Sequence, residues 1–122
     1  MNPKIKNIIL WIISGLLAFL FIGSAFVKLS ESAMAIKNAN SFGLNQTAFM
    51  ILGVIEIIAT LLFLYPRTGV LGAFLLIAYM GGAIATHLEH GQSYIGPVIF
   101  SMVLWIVTVL RFPELTKRIS GK

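Results

Sequence analysis

The chain has 122 residues, 58% of them hydrophobic and 11% charged, with a formal net charge of +5 and no cysteine. This length holds one domain at most, and so little charge on so much apolar surface excludes a soluble globular domain. The absence of thiols excludes disulfide exchange, thiolate-bound zinc, iron–sulfur ligation and thioether haem attachment by this chain itself.

Four apolar runs follow one another, Ile8–Val27, Thr47–Tyr65, Val70–Thr86 and Ile95–Leu110, and Glu56 is the only charged residue inside them. Each approaches the roughly 20 residues that carry a helix across about 30 Å of hydrocarbon. Lipid offers no hydrogen bonds to a bare backbone, so the runs are read as helices spanning about residues 8–27, 47–65, 70–87 and 95–111. Short links, Pro66–Gly69 and His87–Tyr94, make neighbouring spans antiparallel. The expected fold is all-α: residues 1–122 as a single integral membrane antiparallel four-helix bundle.

Lys4 and Lys6 precede the first run and Gly23-Ser24-Ala25 lies near its end, which mimics a signal peptide. Its 20 apolar residues exceed a signal core, so it is read as a retained span. The next segment, Lys28 to Gln46, is the longest outside the spans. A capping serine and helix formers in Ser30-Glu31-Ser32-Ala33-Met34-Ala35-Ile36-Lys37 predict a short extracytoplasmic helix, with turn and loop over Asn38 to Asn45. Asn45-Gln46-Thr47 matches a glycosylation acceptor, a weak signal so close to the membrane.

In the second span, Glu56 lies about 13 Å from the end at Tyr65, near the midplane. A carboxylate facing lipid there costs a few kcal/mol, so Glu56 is expected to face the interior, protonated or paired, as a candidate proton or ligand site. Thr60 shares its helix face, and Tyr79 of the third span lies at almost the same depth and is the preferred partner. The bland alternative is a glutamic acid that only fixes packing. Tyr65-Pro66-Arg67-Thr68-Gly69 makes a tight hairpin.

The third span ends in Met80-Gly-Gly-Ala-Ile-Ala-Thr-His-Leu-Glu-His-Gly91, where two histidines and a carboxylate suggest a metal site. Depth weakens that reading: His87 lies about 25 Å from the opposite end of the span, at the rim of the bundle and roughly 10 Å above Glu56. Lys28 is placed at the same rim. No third ligand matches the two histidines, so no metal is assigned. Gly81-Gly82 is read as a site of close helix packing. Gly96-Pro97 opens the fourth span and Arg111-Phe112-Pro113 closes it. Trp11 and Tyr94 suit the membrane interface, whereas Trp105 sits deeper.

Lys4, Lys6, Arg67, Arg111, Lys117, Arg118 and Lys122 fall on one side of such a bundle, and Lys28 and Lys37 on the other. Seven against two places both termini in the cytoplasm and accounts for most of the positive charge. No separate basic arm suggests nucleic-acid binding.

Gly23-x-x-x-x-Lys28, Gly53-x-x-Glu56, Pro66-Arg67-Thr68-Gly69-x-Leu71-Gly72-Ala73 and Met80-Gly-Gly-Ala-x-x-Thr86-His87-Leu88, in this order, resemble DoxX-like membrane proteins over about Trp11 to Leu110. The resemblance implies a bacterial four-helix protein of the cell inner membrane. Its relatives include a subunit of a thiosulfate–quinone oxidoreductase and proteins associated with thiol-stress systems. Glu56, His87 and Lys28 carry over by position.

The first functional expectation is therefore an accessory or redox-associated subunit that binds a quinone or other small lipophilic molecule near Glu56. Glu56 with Tyr79 would handle a proton, and His87 with Lys28 would meet a head group at the mouth. Its partners would be the bilayer, a redox-enzyme or other membrane subunit, and a second copy of the chain. A proton-coupled small-molecule transporter is the alternative, but dual-inserting exporters need little basic bias and carry their glutamate in the first span. A membrane-embedded isomerase or hydrolase using Glu56 with Tyr79 or His87, and a purely structural subunit, complete the set.

Overall fold

The structure, a computed structural model, describes residues 2–121. Lys122, counted above toward orientation, lies outside them. The chain forms α1 (Pro3–Leu29), α2 (Ala33–Ser41), α3 (Gln46–Leu64), α4 (Gly69–Glu89), α5 (Ile95–Arg111) and α6 (Pro113–Ile119), with a 3-10 turn at Pro66–Thr68.

Local chemistry sets several boundaries. The Asn2 side chain accepts from the Lys4 amide at 2.9 Å, with Pro3 in the first turn of α1, where its missing N–H is not needed. Ser32 caps α2 by accepting from the Ala35 amide at 3.2 Å. Asn45 does the same for α3, accepting from the Ala48 amide at 2.7 Å, so the residue of the glycosylation match serves as a helix cap. The helix expected after Ser30 is present but continues through Asn38–Ser41, which the sequence suggested as loop. Ala35 and Ala39, one turn apart, are both buried against Phe49, and that packing carries α2 past its asparagines.

The four long helices share one apolar core. Leu17 and Phe21 of α1, Ala59 and Phe63 of α3, Ala73, Leu76 and Met80 of α4, and Leu104 and Val107 of α5 meet in it. α1 packs on α3, α3 on α4, α4 on α5, and α5 returns to α1. The outer surface is apolar as well: Phe19 is 75% exposed, Phe26 65% and Leu16 60%. A chain apolar both inside and outside is satisfied by lipid around it. α1, α3 and α4 are each long and apolar enough to cross a membrane. α5, at 17 residues, reaches that length only together with α6, from which it is bent by 105°.

Side chains identify the two ends. At one, Arg111 at the end of α5 donates to the Leu64 carbonyl at the end of α3 at 3.3 Å, and its guanidinium lies 4.3 Å from the Trp11 ring centroid of α1 and 4.8 Å from that of Phe63. At the other, Lys28 of α1, Phe49 of α3, His87 of α4 and Pro97 of α5 surround a cavity roofed by α2. Consecutive long helices therefore run in opposite directions.

Glycines decide where helices touch, and they correct one expectation. Gly81 and Gly82 are not a close-packing site: a side chain at either would have no heavy atom within 4 Å. The tight crossing is at Gly72, where a Cβ would overlap the backbone of Leu62 and Phe63. α6 is a further departure from the sequence, in which Arg111-Phe112-Pro113 marks only an end. Phe112, extended at φ −116° and ψ 98° as a residue before proline prefers, breaks the helix, and Pro113 starts a new one. Seven residues are too few to show a hydrophobic period in sequence.

Candidate functional site

The direction of the helices places the site. Cα–Cβ bonds in a helix tilt toward its N-terminus, so side chains of α1 lean back into the molecule from the α2 end, while those of the oppositely directed α3 lean toward that end. Lys28 and Glu56 therefore converge although their backbones sit at different heights. Lys28 Nζ donates to Glu56 Oε1 at 3.1 Å, the two side chains being 12% and 2% exposed. This corrects the placement of Lys28 at the rim beside His87. Counting Cα positions ignored both the tilt and the length of a four-carbon stem.

Ser24, one turn before Lys28, accepts a second hydrogen bond from Nζ at 2.5 Å. The ammonium also lies 5.5 Å from the Phe49 ring centroid and 5.6 Å from that of Tyr79. Gly53 permits this approach, because a Cβ there would stand 3.0 Å from that of Lys28 and 3.3 Å from the Ala25 carbonyl. Tyr79, the partner chosen by depth, donates its hydroxyl to Glu56 Oε1 at 3.3 Å. Among the described residues both donors reach Oε1 and none reaches Oε2.

Thr60 lies on the expected face, but its hydroxyl donates to the Glu56 backbone carbonyl at 2.7 Å and does not meet the carboxylate. The structure does not bring His87 to Glu56 either. His87 Nδ1 donates to the Ala83 carbonyl at 2.6 Å, and its ring packs against Phe42 at 4.8 Å between centroids. His90 Nδ1 similarly donates to the Thr86 carbonyl at 3.0 Å. A carbonyl only accepts, so both rings carry a proton on Nδ1 and cap the last turn of α4. Among the described residues no three His, Asp or Glu side chains gather as metal ligands would.

Ser24, Phe49 and Phe42 are site residues that sequence reasoning did not assign. Ser24 had a usable signal, its i−4 spacing from Lys28 on one helix face. Phe42 had none, since it lies beyond α2 and reaches His87 only through the tertiary fold.

Lys28, Glu56, Tyr79 and His87 all line one cavity of about 920 Å³ between the long helices and beneath α2. Leu, Ile, Phe and Met side chains form most of the remaining wall. That size and lining, with a few convergent polar groups, are those of sites for small organic molecules. At the α2 end, Gln92 donates to the Ser41 carbonyl at 3.0 Å, tying the α4–α5 loop to the end of α2.

Helices clothed in apolar residues around a cavity with a buried ion pair define a multi-pass α-helical membrane protein. Residues 12–110 match the DoxX-like family, and the chain belongs to it. No curated protein and no solved structure matches the chain.

Proposed function

We propose that the protein is a four-span membrane subunit whose cavity binds a small lipophilic molecule with a polar head, and that a quinone is the class of ligand it suits. One observation carries this reading: the cavity of about 920 Å³ is mainly apolar, yet Lys28, Glu56 and Tyr79 present a cation, a carboxylate and a phenol together on its wall. A quinone head offers a carbonyl oxygen to the third N–H of the Lys28 ammonium, the other two being directed at Glu56 and Ser24. Its reduced form offers a hydroxyl that Glu56 Oε2 is free to accept. The apolar wall suits the ring and its tail. The redox associations implied by the family resemblance support an accessory role beside a redox enzyme in the bacterial inner membrane.

In this reading α5 alone is the fourth span of an antiparallel four-helix bundle, both termini are cytoplasmic, and α2 covers the extracytoplasmic mouth. His87 and Phe42 stand at that mouth. The proton-coupled transporter ranks below it, because dual insertion conflicts with the basic bias of the sequence.

The test is native mass spectrometry of the protein extracted from membranes, followed by solvent extraction of whatever it retains. Wild-type protein is expected to carry a quinone, and Glu56→Gln or Lys28→Met to lower its occupancy about tenfold, the effect of losing one charge-assisted hydrogen bond. Wild-type protein free of quinone in a quinone-containing membrane would reject the reading. A second reading has its own support, since Lys28, Glu56 and Ser24 already satisfy one another and join α1 to α3. As a purely structural lock, the cluster would change stability on substitution with no ligand to lose.

A further inference from the structure

A residue that lines the cavity and also shows on the molecular surface marks a place where the cavity opens. Ile55 of α3 is 43% exposed and Leu75 of α4 39%, and both line the cavity. So do Ala78 and Gly82 of α4, which are exposed too. Leu75, Ala78 and Gly82 follow at intervals of three and four, so they form one stripe along α4, about 10 Å long.

The two helices that flank this stripe are in contact at one of its ends. Gly72 lets the α4 backbone lie against Phe63 of α3 near the turn that joins them. At the far end, Gly82 has no heavy atom within 4 Å of where its side chain would begin. α3 and α4 are pressed together near their connection, and the α4 surface at Gly82 is open. A glycine inside a helix is disfavoured relative to alanine, and close packing is its usual compensation. Gly82 has no such contact, and the space it leaves belongs to the cavity. Tyr79 lies one turn before Ala83 on the same helix and donates to Glu56, so the gap leads to the polar cluster.

We infer that the gap between α3 and α4, bordered by Ile55, Leu75, Ala78 and Gly82, is a lateral port through which a ligand dissolved in the bilayer enters and in which its tail remains. This rests on reading the cavity as a ligand site. The occupant is a lipid-dissolved molecule with a flexible alkyl tail, its head on Lys28, Glu56 and Tyr79. A water-soluble solute would instead pass beneath α2 at the His87 mouth. The gap opens on the apolar outer face of the spans, where the surrounding medium is lipid, and it continues into the cavity already described.

The test uses a benzoquinone whose decyl tail ends in a photoreactive diazirine, added to the full chain in nanodiscs, with cross-links mapped by peptide mass spectrometry. The tail is expected to label the peptides around Ile55 and around residues 75–82. Gly82→Leu, alone and with Ala78→Leu, is expected to lower that labelling about tenfold by filling the gap. Gly23→Leu is the control: Gly23 is exposed on α1, equally free of neighbours, and outside the cavity lining. A Cβ meets no heavy atom within 4 Å at positions 82 and 23 alike, and the wild-type label pattern requires no substitution at all. Labelling concentrated on α2 and the His87 mouth, or unchanged labelling in Gly82→Leu, would overturn the port while leaving the ligand reading in place. Wild-type protein that retains no quinone overturns the ligand reading, and the port with it.

Discussion

Lys28 and Glu56 form an ion pair where the chain offers neither charge to water, and such a pair is held by its geometry more than by its net energy. Desolvating two charges offsets most of their mutual attraction, so a pair removed as a unit is often tolerated, while a single removal leaves one buried charge without its partner. Lys28→Met is therefore expected to destabilise the folded protein by about 3–5 kcal/mol, and Lys28→Met/Glu56→Gln by clearly less than the sum of the single changes. Thermal unfolding in detergent, run as a double-mutant cycle, reads the coupling; additive effects would show that the two groups do not interact. The residues of this cluster were unequally legible. Glu56 stood out as the lone charge in four apolar runs, and equal depth on an antiparallel neighbour led to Tyr79. Lys28 was misplaced because backbone height does not locate the end of a long side chain. Thr60 shares the helix face of Glu56, but its hydroxyl bonds the Glu56 carbonyl one turn back and not the carboxylate.

At the scale of elements, long apolar runs were easy to read because the bilayer leaves a helix as their only regular form. The observed α1 begins at Pro3, five residues ahead of the apolar run, because an asparagine cap and a first-turn proline start helices irrespective of hydropathy. Glycines were harder. Sequence treats Gly72 and Gly82 alike, but the first marks where α4 presses on the α3 backbone and the second faces open space. Opposite outcomes follow. Gly72→Ala forces a Cβ into Leu62 and Phe63 and is expected to destabilise by about 1–3 kcal/mol, the usual range for overpacking. Gly82→Ala meets nothing and is expected to raise helix stability by up to about 1 kcal/mol. Melting temperatures of the two purified variants, bracketing wild type from below and above, check both at once. Equal stability in Gly72→Ala would mean that α3 and α4 do not cross there. The break before α6 depends on a residue-before-proline preference that was visible, whereas the 105° turn that follows it is a tertiary property.

For the whole molecule, orientation in the membrane depends on how many basic residues each end retains as free charge. The end that gathers the start of α1, the turn after α3 and α6 holds Lys4, Lys6, Arg67, Arg111, Lys117 and Arg118. The opposite end holds Lys37 and Lys28, but Lys28 is directed into the molecule and paired with Glu56, which leaves Lys37 as the cation of that end able to contact lipid head groups freely. With half-buried Arg111 also set aside, five free cations face one, and the rule that basic loops stay inside supports the proposed orientation, with the end rich in basic residues in the cytoplasm. A fluorescent protein fused to the C-terminus is expected to fluoresce, and alkaline phosphatase at the same point to be inactive. Changing Lys117 and Arg118 to Ser should leave that result unaltered, because Lys4, Lys6 and Arg67 still outnumber the other end and the first span usually dominates insertion. Equal signals from the two reporters would instead mean that the chain inserts both ways. A protein inserted in both orientations would place the mouth at His87 on either side of the membrane, and the transporter reading would then rank above the quinone-binding one.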